Sequence, residues 1–243
     1  MSIQSQEVSY TVGDTSMKSY LAYDDSISGS RPGVLVVHEW WGLDEYIRGR
    51  VNMLAELGYT ALGVDMYGGG KTGADPAEAG ALMNAVLGDM EAGTARIQAA
   101  AETLGEQAQT DASRMGCMGY CFGGAVSLHA ARIGMDLRGV VSFHGALGSF
   151  HTPAPGSIKA KILVLHGGAD VLVPDEQIDA FHTEMNNANA DYEFVTYDGA
   201  LHGYTNPEAT SRGESYGLPL AYDETSDKRS WQDMQDFFAK VFA

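Results

Sequence analysis

Short, unbroken apolar runs that recur between helical segments limit what this chain can fold into more than any other feature. Val34-Leu35-Val36-Val37-His38 is continuous and β-branched. A strand of that kind needs cover on both faces, the situation of a parallel strand wrapped by helices. Further strands are expected at Tyr59–Asp65, Met115–Tyr120, Val140–Phe143, Ile162–His166 and Glu193–Tyr197. Between them the spacing predicts a helix over Asp44–Leu57, with Ile47, Val51 and Leu54 on one face, Asp44 capping its start and Gly58 its end. Ala77–Gly105 is Ala-rich and helical, broken at Gly88 and Gly93. Helices also follow over Phe122–Ile133, Asp175–Asn186 and Trp231–Phe242, the last with Met234, Phe237, Phe238 and Val241 inward. Ahead of Pro32, Glu7–Val12 and Met17–Tyr23 read as a ribbon joined at Gly13-Asp14. The expected class is α/β: a doubly wound, mostly parallel sheet with an N-terminal antiparallel β-ribbon, forming one domain over residues 1–243.

Composition narrows the function. The chain carries 15 basic and 32 acidic residues, a net charge of −17. Such a surface repels phosphate backbones and anionic lipid, so neither nucleic acid nor membrane is an expected partner. No apolar run nears the ~20 residues of a membrane span. Met1 to Gly13 has no cationic start and no apolar stretch, so no signal peptide is expected and the location predicted is cytoplasmic. Cys117 and Cys121, four apart, fit neither a disulfide framework nor a CxxC site.

The chemistry concentrates at Gly119-Tyr120-Cys121-Phe122-Gly123-Gly124. This is the G-x-nucleophile-x-G form of a nucleophile elbow, with cysteine in the place more often held by serine. A strand turning sharply into a helix strains the nucleophile's backbone, so its neighbours two residues away must be small. A helix N-terminus also favours the reactive thiolate. Elbow triads run nucleophile, acid, base along the chain, and Asp170 follows the strand Ile162–His166 while His202 follows Glu193–Tyr197. Strand ends of an open α/β sheet are where such side chains converge. In that reading Asp170 orients His202, and His202 takes the proton of Cys121. After the first long strand comes His38-Glu39-Trp40-Trp41-Gly42. The oxyanion hole of this arrangement takes one backbone N–H from that loop and one from the residue after the nucleophile, here Trp40 and Phe122. Glu39 is then a carboxylate able to act on the thiol.

Glu39 beside Trp40-Trp41-Gly42, the Cys121 elbow, and the spacing of Asp170 and His202 resemble the dienelactone hydrolase family from about Gly33 to the C-terminal helix. The resemblance implies an α/β-hydrolase with a Cys-His-Asp triad that cleaves esters or lactones, in which Glu39 holds the cysteine uncharged until substrate arrives. Lactone-processing members grip a substrate carboxylate with arginines, one of them four residues past the histidine. Here that position is Asn206, and no Arg or Lys lies between Thr72 and Glu91. A neutral ester or lactone, in a pocket edged by Trp40, Trp41 and Tyr204, is therefore the expected substrate. The family's promiscuous members extend the expected range to aryl esters and phosphotriesters. The alternatives are dienelactone (carboxymethylenebutenolide) hydrolysis itself and a non-catalytic receptor on the same fold. No metal or organic cofactor is implied, and a monomer or homodimer is expected.

Other signals carry less. Gly68-Gly69-Gly70-Lys71-Thr72 suggests a phosphate loop, but Asp65 stands where that motif needs glycine, and a mobile glycine loop is expected instead. His38, His144 and His166 lie at strand ends and are expected to bond to backbone rather than gather a metal. Cys117 reads as core. Gly203–Asp227 lacks periodicity, as a functional loop does, and within it Pro207–Ser226 is expected to be a lid, a dimer contact or a surface loop with no role.

Overall fold

Gly13, at φ 57°, turns the chain tightly enough for β1 (Ile3–Val12) and β2 (Thr15–Asp24) to pair antiparallel along their full lengths. This is the expected ribbon, longer at both ends. Val8, Tyr10 and Val12 alternate with exposed neighbours, as an edge strand with one covered face requires. The computed structural model describes residues 2–243, so the start of the expected leaderless N-terminus, Met1, lies outside the described residues. The chain divides into two compact units, residues 1–118 and 119–243.

In the first unit β2 pairs antiparallel with β4 (Thr60–Val64), and β3 (Arg31–Val37) pairs parallel with β4. Val34 to Val37 are fully buried, which explains the unbroken apolar run. α1 (Glu45–Glu56) begins where the Asp44 carboxylate accepts from the Ile47 N–H at 3.2 Å, and Gly58 beyond it takes φ 91°. The Ala-rich stretch is two helices, α2 (Pro76–Leu87) and α3 (Met90–Gly105), capped by Asp75 and Asp89. Gly88 marks the break. Gly93 does not: it lies inside α3, where a Cβ would meet Val86 Cγ1 at 3.1 Å, so its smallness serves packing against α2. β5 (Thr110–Tyr120) starts five residues earlier than expected, in a polar half-exposed stretch without strand-like alternation.

The second unit follows the end of β5 with α4 (Phe122–Arg132), β6 (Gly139–Phe143), β7 (Lys161–Gly167), α5 (Asp175–Asn187) and β8 (Tyr192–Tyr197). β6, β7 and β8 are parallel in sequence order. The whole strand order is β1-β2-β4-β3-β5-β6-β7-β8, an eight-stranded α/β sheet of the expected class. The segment Gly203–Asp227 is more ordered than its composition suggests. It contains α6 (Ala209–Tyr216) and the start of α7 (Glu224–Val241), capped by Asp223. Past α6 the chain returns alongside His202, with the Ala221 N–H on the His202 carbonyl at 3.3 Å and the Asp223 N–H on that of Tyr204 at 3.0 Å. Among the described residues no helix is long and apolar enough to cross a membrane.

Candidate active site

The elbow is built by the absence of side chains. A Cβ on Gly119 would stand 2.1 Å from the Gly123 carbonyl oxygen, and one on Gly124 would stand 2.8 Å from the Gly145 Cα. Strand and helix therefore close to backbone contact, and Cys121 between them takes φ 53° and ψ −115°. Positive φ is costly for a residue with a Cβ and is characteristic of functional turns. The Cys121 N–H is held by the Phe143 carbonyl at 3.0 Å. Its side chain is half-buried and its sulfur is free of any disulfide. Phe122 opens α4 directly after the nucleophile position.

His202 lies beyond β8 and Asp170 beyond β7, and the fold of this unit brings both to the elbow. His202 Nδ1 bonds Asp170 Oδ2 at 2.8 Å, and the same imidazole is hydrogen-bonded to the Cys121 side chain. Asp170 Oδ1 accepts from the Leu172 N–H at 2.9 Å, which fixes the carboxylate plane. Burial works against a charged His202. The charge of Cys121, the hydrogen bonds from Asp170 and Cys121, and the Asp170 charge outweigh it and carry the pKa up to about 10. His202 thus donates one ring N–H to the Asp170 carboxylate and turns its other nitrogen to the Cys121 sulfur.

Two neighbours were not legible as site residues. His144, fully buried at φ 39°, sets its ring edge-to-face with His202 at 5.1 Å between centroids and shares a 2.7 Å hydrogen bond with Thr205 Oγ1. Thr205 carried no signal in the sequence, and His144 stood out only as a strand-end histidine. Tyr204, expected at the edge of a pocket, is instead fully buried, with its hydroxyl on the Leu165 carbonyl at 3.2 Å and its ring between His144 and Tyr197. An aromatic two residues past a loop histidine can face either way, and here it faces inward while the returning chain bonds its carbonyl through the Asp223 N–H. Asn206 is buried too, its Oδ1 accepting from the Glu208 N–H at 3.0 Å to start α6. His166 is buried, and that burial chiefly pushes its pKa down.

The first unit holds Glu39, Trp40 and Trp41, immediately past β3. His38 bonds backbone as expected. Its Nε2 accepts from the Met66 N–H at 3.2 Å, which leaves Nδ1 to donate to the Glu39 carbonyl. Burial, against the pull of that carbonyl and of Asp65, pushes His38 down to about 4. The Glu39 carboxylate-bearing residue is only 5% exposed and Trp41 likewise 5%, whereas Trp40 is half-buried with its carbonyl on the Tyr67 hydroxyl at 2.8 Å. Gly42, at φ 99°, passes so close to Lys71 that a Cβ would lie 2.6 Å from its carbonyl oxygen. The glycine loop is pinned rather than loose: the Asp65 carboxylate accepts from the N–H groups of Lys18, Tyr67, Gly68 and Gly70 at 2.8–3.0 Å. Three consecutive positive-φ glycines form an anion nest, and the anion is the protein's own side chain. Among the described residues no group of three or more His, Cys, Asp or Glu side chains could hold a metal ion.

The sequence model of the dienelactone hydrolase family matches residues 17–242. The chain belongs to that family. Membership makes it a hydrolase acting on small molecules. A solved dienelactone hydrolase-like promiscuous phosphotriesterase from metagenomic libraries superposes with a TM-score of 0.91 at 34% identity, covering 100% of both chains. A second solved structure, named m3DLH, gives a TM-score of 0.93 at 36% identity, again covering 100% of both. A Salmonella typhimurium protein named "Putative carboxymethylenebutenolidase" is 27% identical over 92% of this chain and 83% of its own length.

Proposed function

We propose that this chain is a cysteine hydrolase of neutral carboxylic esters or lactones, with Cys121 as nucleophile, His202 as acid and base, and Asp170 as the group that orients His202. The observation that carries the reading is the unbroken hydrogen-bonded run Cys121–His202–Asp170 at a positive-φ elbow. The Cys121 sulfur, its proton held on His202, attacks the substrate carbonyl carbon, and the π pair moves onto oxygen. The N–H groups at the start of α4, led by Phe122, favour that oxyanion. Collapse expels the alkoxide, which takes the His202 proton and leaves as alcohol. Neutral His202 then removes a proton from water, and the hydroxide adds to the thioester carbonyl. The thiolate departs, the acid is released, and the thiolate–imidazolium pair is restored.

The roles of Glu39, Trp40 and Trp41 rest on the family resemblance: Glu39 acting on the thiol, Trp40 as second oxyanion donor, Trp41 at the substrate. That resemblance implies a thiol kept uncharged until substrate binds, whereas the high pKa of His202 favours a standing ion pair. Alkylation of the parent and of Glu39→Gln as a function of pH separates the two. The family match, continuous from residue 17 to 242, supports one catalytic domain. Asn206, used up as a loop cap, disfavours an anionic lactone such as dienelactone. The phosphotriesterase named among the solved relatives favours activated triesters as a second substrate class.

The test is the time course of p-nitrophenyl acetate hydrolysis by the parent and by Cys121→Ala. Sustained turnover lost in the variant supports the proposal. Release independent of Cys121, or a single-equivalent burst without turnover, overturns it.

A further inference from the structure

His144 lies on no step of that reaction, yet its ring lies edge-to-face against that of His202. Its backbone is held where the elbow is held. The Phe143 carbonyl accepts from the Cys121 N–H at 3.0 Å, and the next residue's N–H, that of His144, donates to the Leu165 carbonyl of β7 at 2.8 Å. The chain leaves the sheet here at φ 39°, an unfavourable conformation for a side chain of this size. Gly145 follows immediately, and a Cβ on it would fall 2.8 Å from the Gly124 Cα, so the segment lies against the elbow helix at backbone distance. The His144 side chain points the other way, to the loop that carries His202. It bonds Thr205 Oγ1 at 2.7 Å, and its ring meets His202 at 5.1 Å and Tyr204 at 5.2 Å, both edge-to-face. The Leu165 carbonyl that takes the His144 N–H also accepts the Tyr204 hydroxyl at 3.2 Å, so both its lone pairs are engaged by this one cluster.

One fully buried residue thus ties the nucleophile's turn, the neighbouring strand and the histidine loop together. A strained φ held by bonds on three sides is the mark of a position that surrounding structure over-determines. We propose that His144 is a positioning residue for this hydrolase: its hydrogen bond to Thr205 and its ring contact with His202 set the imidazole of His202 against the Cys121 sulfur. This rests on the cysteine-hydrolase reading. The groups that bear on His202 within residues 119–243 are Asp170, Cys121 and His166, besides His144 itself.

Thr205→Val removes the hydroxyl at constant shape, and His144→Phe keeps the ring but not the bond. Each is compared with the parent in two assays: p-nitrophenyl acetate kinetics, and the pH midpoint of Cys121 alkylation by iodoacetamide, which reads the thiolate without requiring turnover. The proposal expects kcat to fall about ten- to a hundredfold with KM little changed, as for a misplaced reacting group. It also expects the alkylation midpoint to rise by about one pH unit, and the double variant to lose no more than the worse single one. An unchanged midpoint in folded Thr205→Val, or independent losses that multiply in the double variant, overturns it. If His144→Phe does not fold, the Thr205→Val midpoint alone decides. Should the parent show no Cys121-dependent hydrolysis, the functional reading fails while the alkylation midpoints still judge the role of His144.

Discussion

Replacing Asp170 by asparagine removes one charge and almost no volume. The Leu172 N–H that binds Asp170 Oδ1 at 2.9 Å keeps its acceptor. What changes is the other terminus, now an amide N–H₂ facing His202 Nδ1 across 2.8 Å. Two donors cannot share that contact, so His202 must surrender its Nδ1 proton and carry hydrogen on the nitrogen facing Cys121. Burial is the largest influence on His202 and acts downward, so without the Asp170 charge and hydrogen bond its pKa falls from about 10. A charge-assisted hydrogen bond is worth about 1.5–3 kcal/mol, or roughly ten- to 150-fold in rate. The wrong tautomer adds to this, and the same exchange in a serine triad costs about 10⁴. Asp170→Asn is therefore expected to lower kcat for p-nitrophenyl acetate by at least about a hundredfold while a thermal melt shows the fold intact. The Cys121 alkylation midpoint should move upward in the same variant. A folded Asp170→Asn enzyme with kcat within about threefold of the parent and an unmoved midpoint would refute the assignment of Asp170.

Other consequences follow from the same structure. Gly119→Ala places a Cβ 2.1 Å from a carbonyl oxygen that cannot retreat, so the variant should lose more than about 3 kcal/mol in urea unfolding; near-parent stability would mean the elbow opens more easily than its geometry implies. Asp65→Asn leaves a nest of four N–H groups without its anion and should cost about 1.5–3 kcal/mol, a loss a neutral surface substitution would not produce. Two of the shifted histidines, His38 and His202, give stability a pH signature. His38 is held to about 4 against an ordinary 6.5, so the unfolded chain binds the extra proton and stability should fall as pH drops from about 6.5 to 4. His202 is raised to about 10 from 6.5, so its contribution is complete below 6.5 and fades as pH rises to about 10; chemical denaturation across pH should show this alkaline slope in the parent and not in His202→Gln.

The class of fold and the three residues of the hydrogen-bonded run were readable from the chain because they depend on local physics. A buried parallel strand must be apolar on both faces, and Val34–Val37 are. A strand that turns at once into a helix must have small flanks, and Gly119 and Gly124 provide them. Asp170 and His202 could be placed because each follows a strand end, where an α/β sheet gathers its loops. Helix α6, the early start of α7 and the polar first half of β5 escaped because their periodicity is weak and their stability comes from what they pack on. The facing of a side chain in a loop escaped as well. Tyr204 looked like a pocket edge, and only the folded chain shows it facing inward. Asp65 excluded a phosphate loop by its charge, yet that its carboxylate gathers four N–H groups from the glycine turn and from β2 depends on distances no sequence carries. The same holds for His144 and Thr205, sixty-one residues apart in the chain and 2.7 Å apart in space. Sequence specifies which residues can do the chemistry; long-range packing decides which neighbours hold them in place, because a hydrogen bond depends on an ångström-scale approach that only the folded chain enforces.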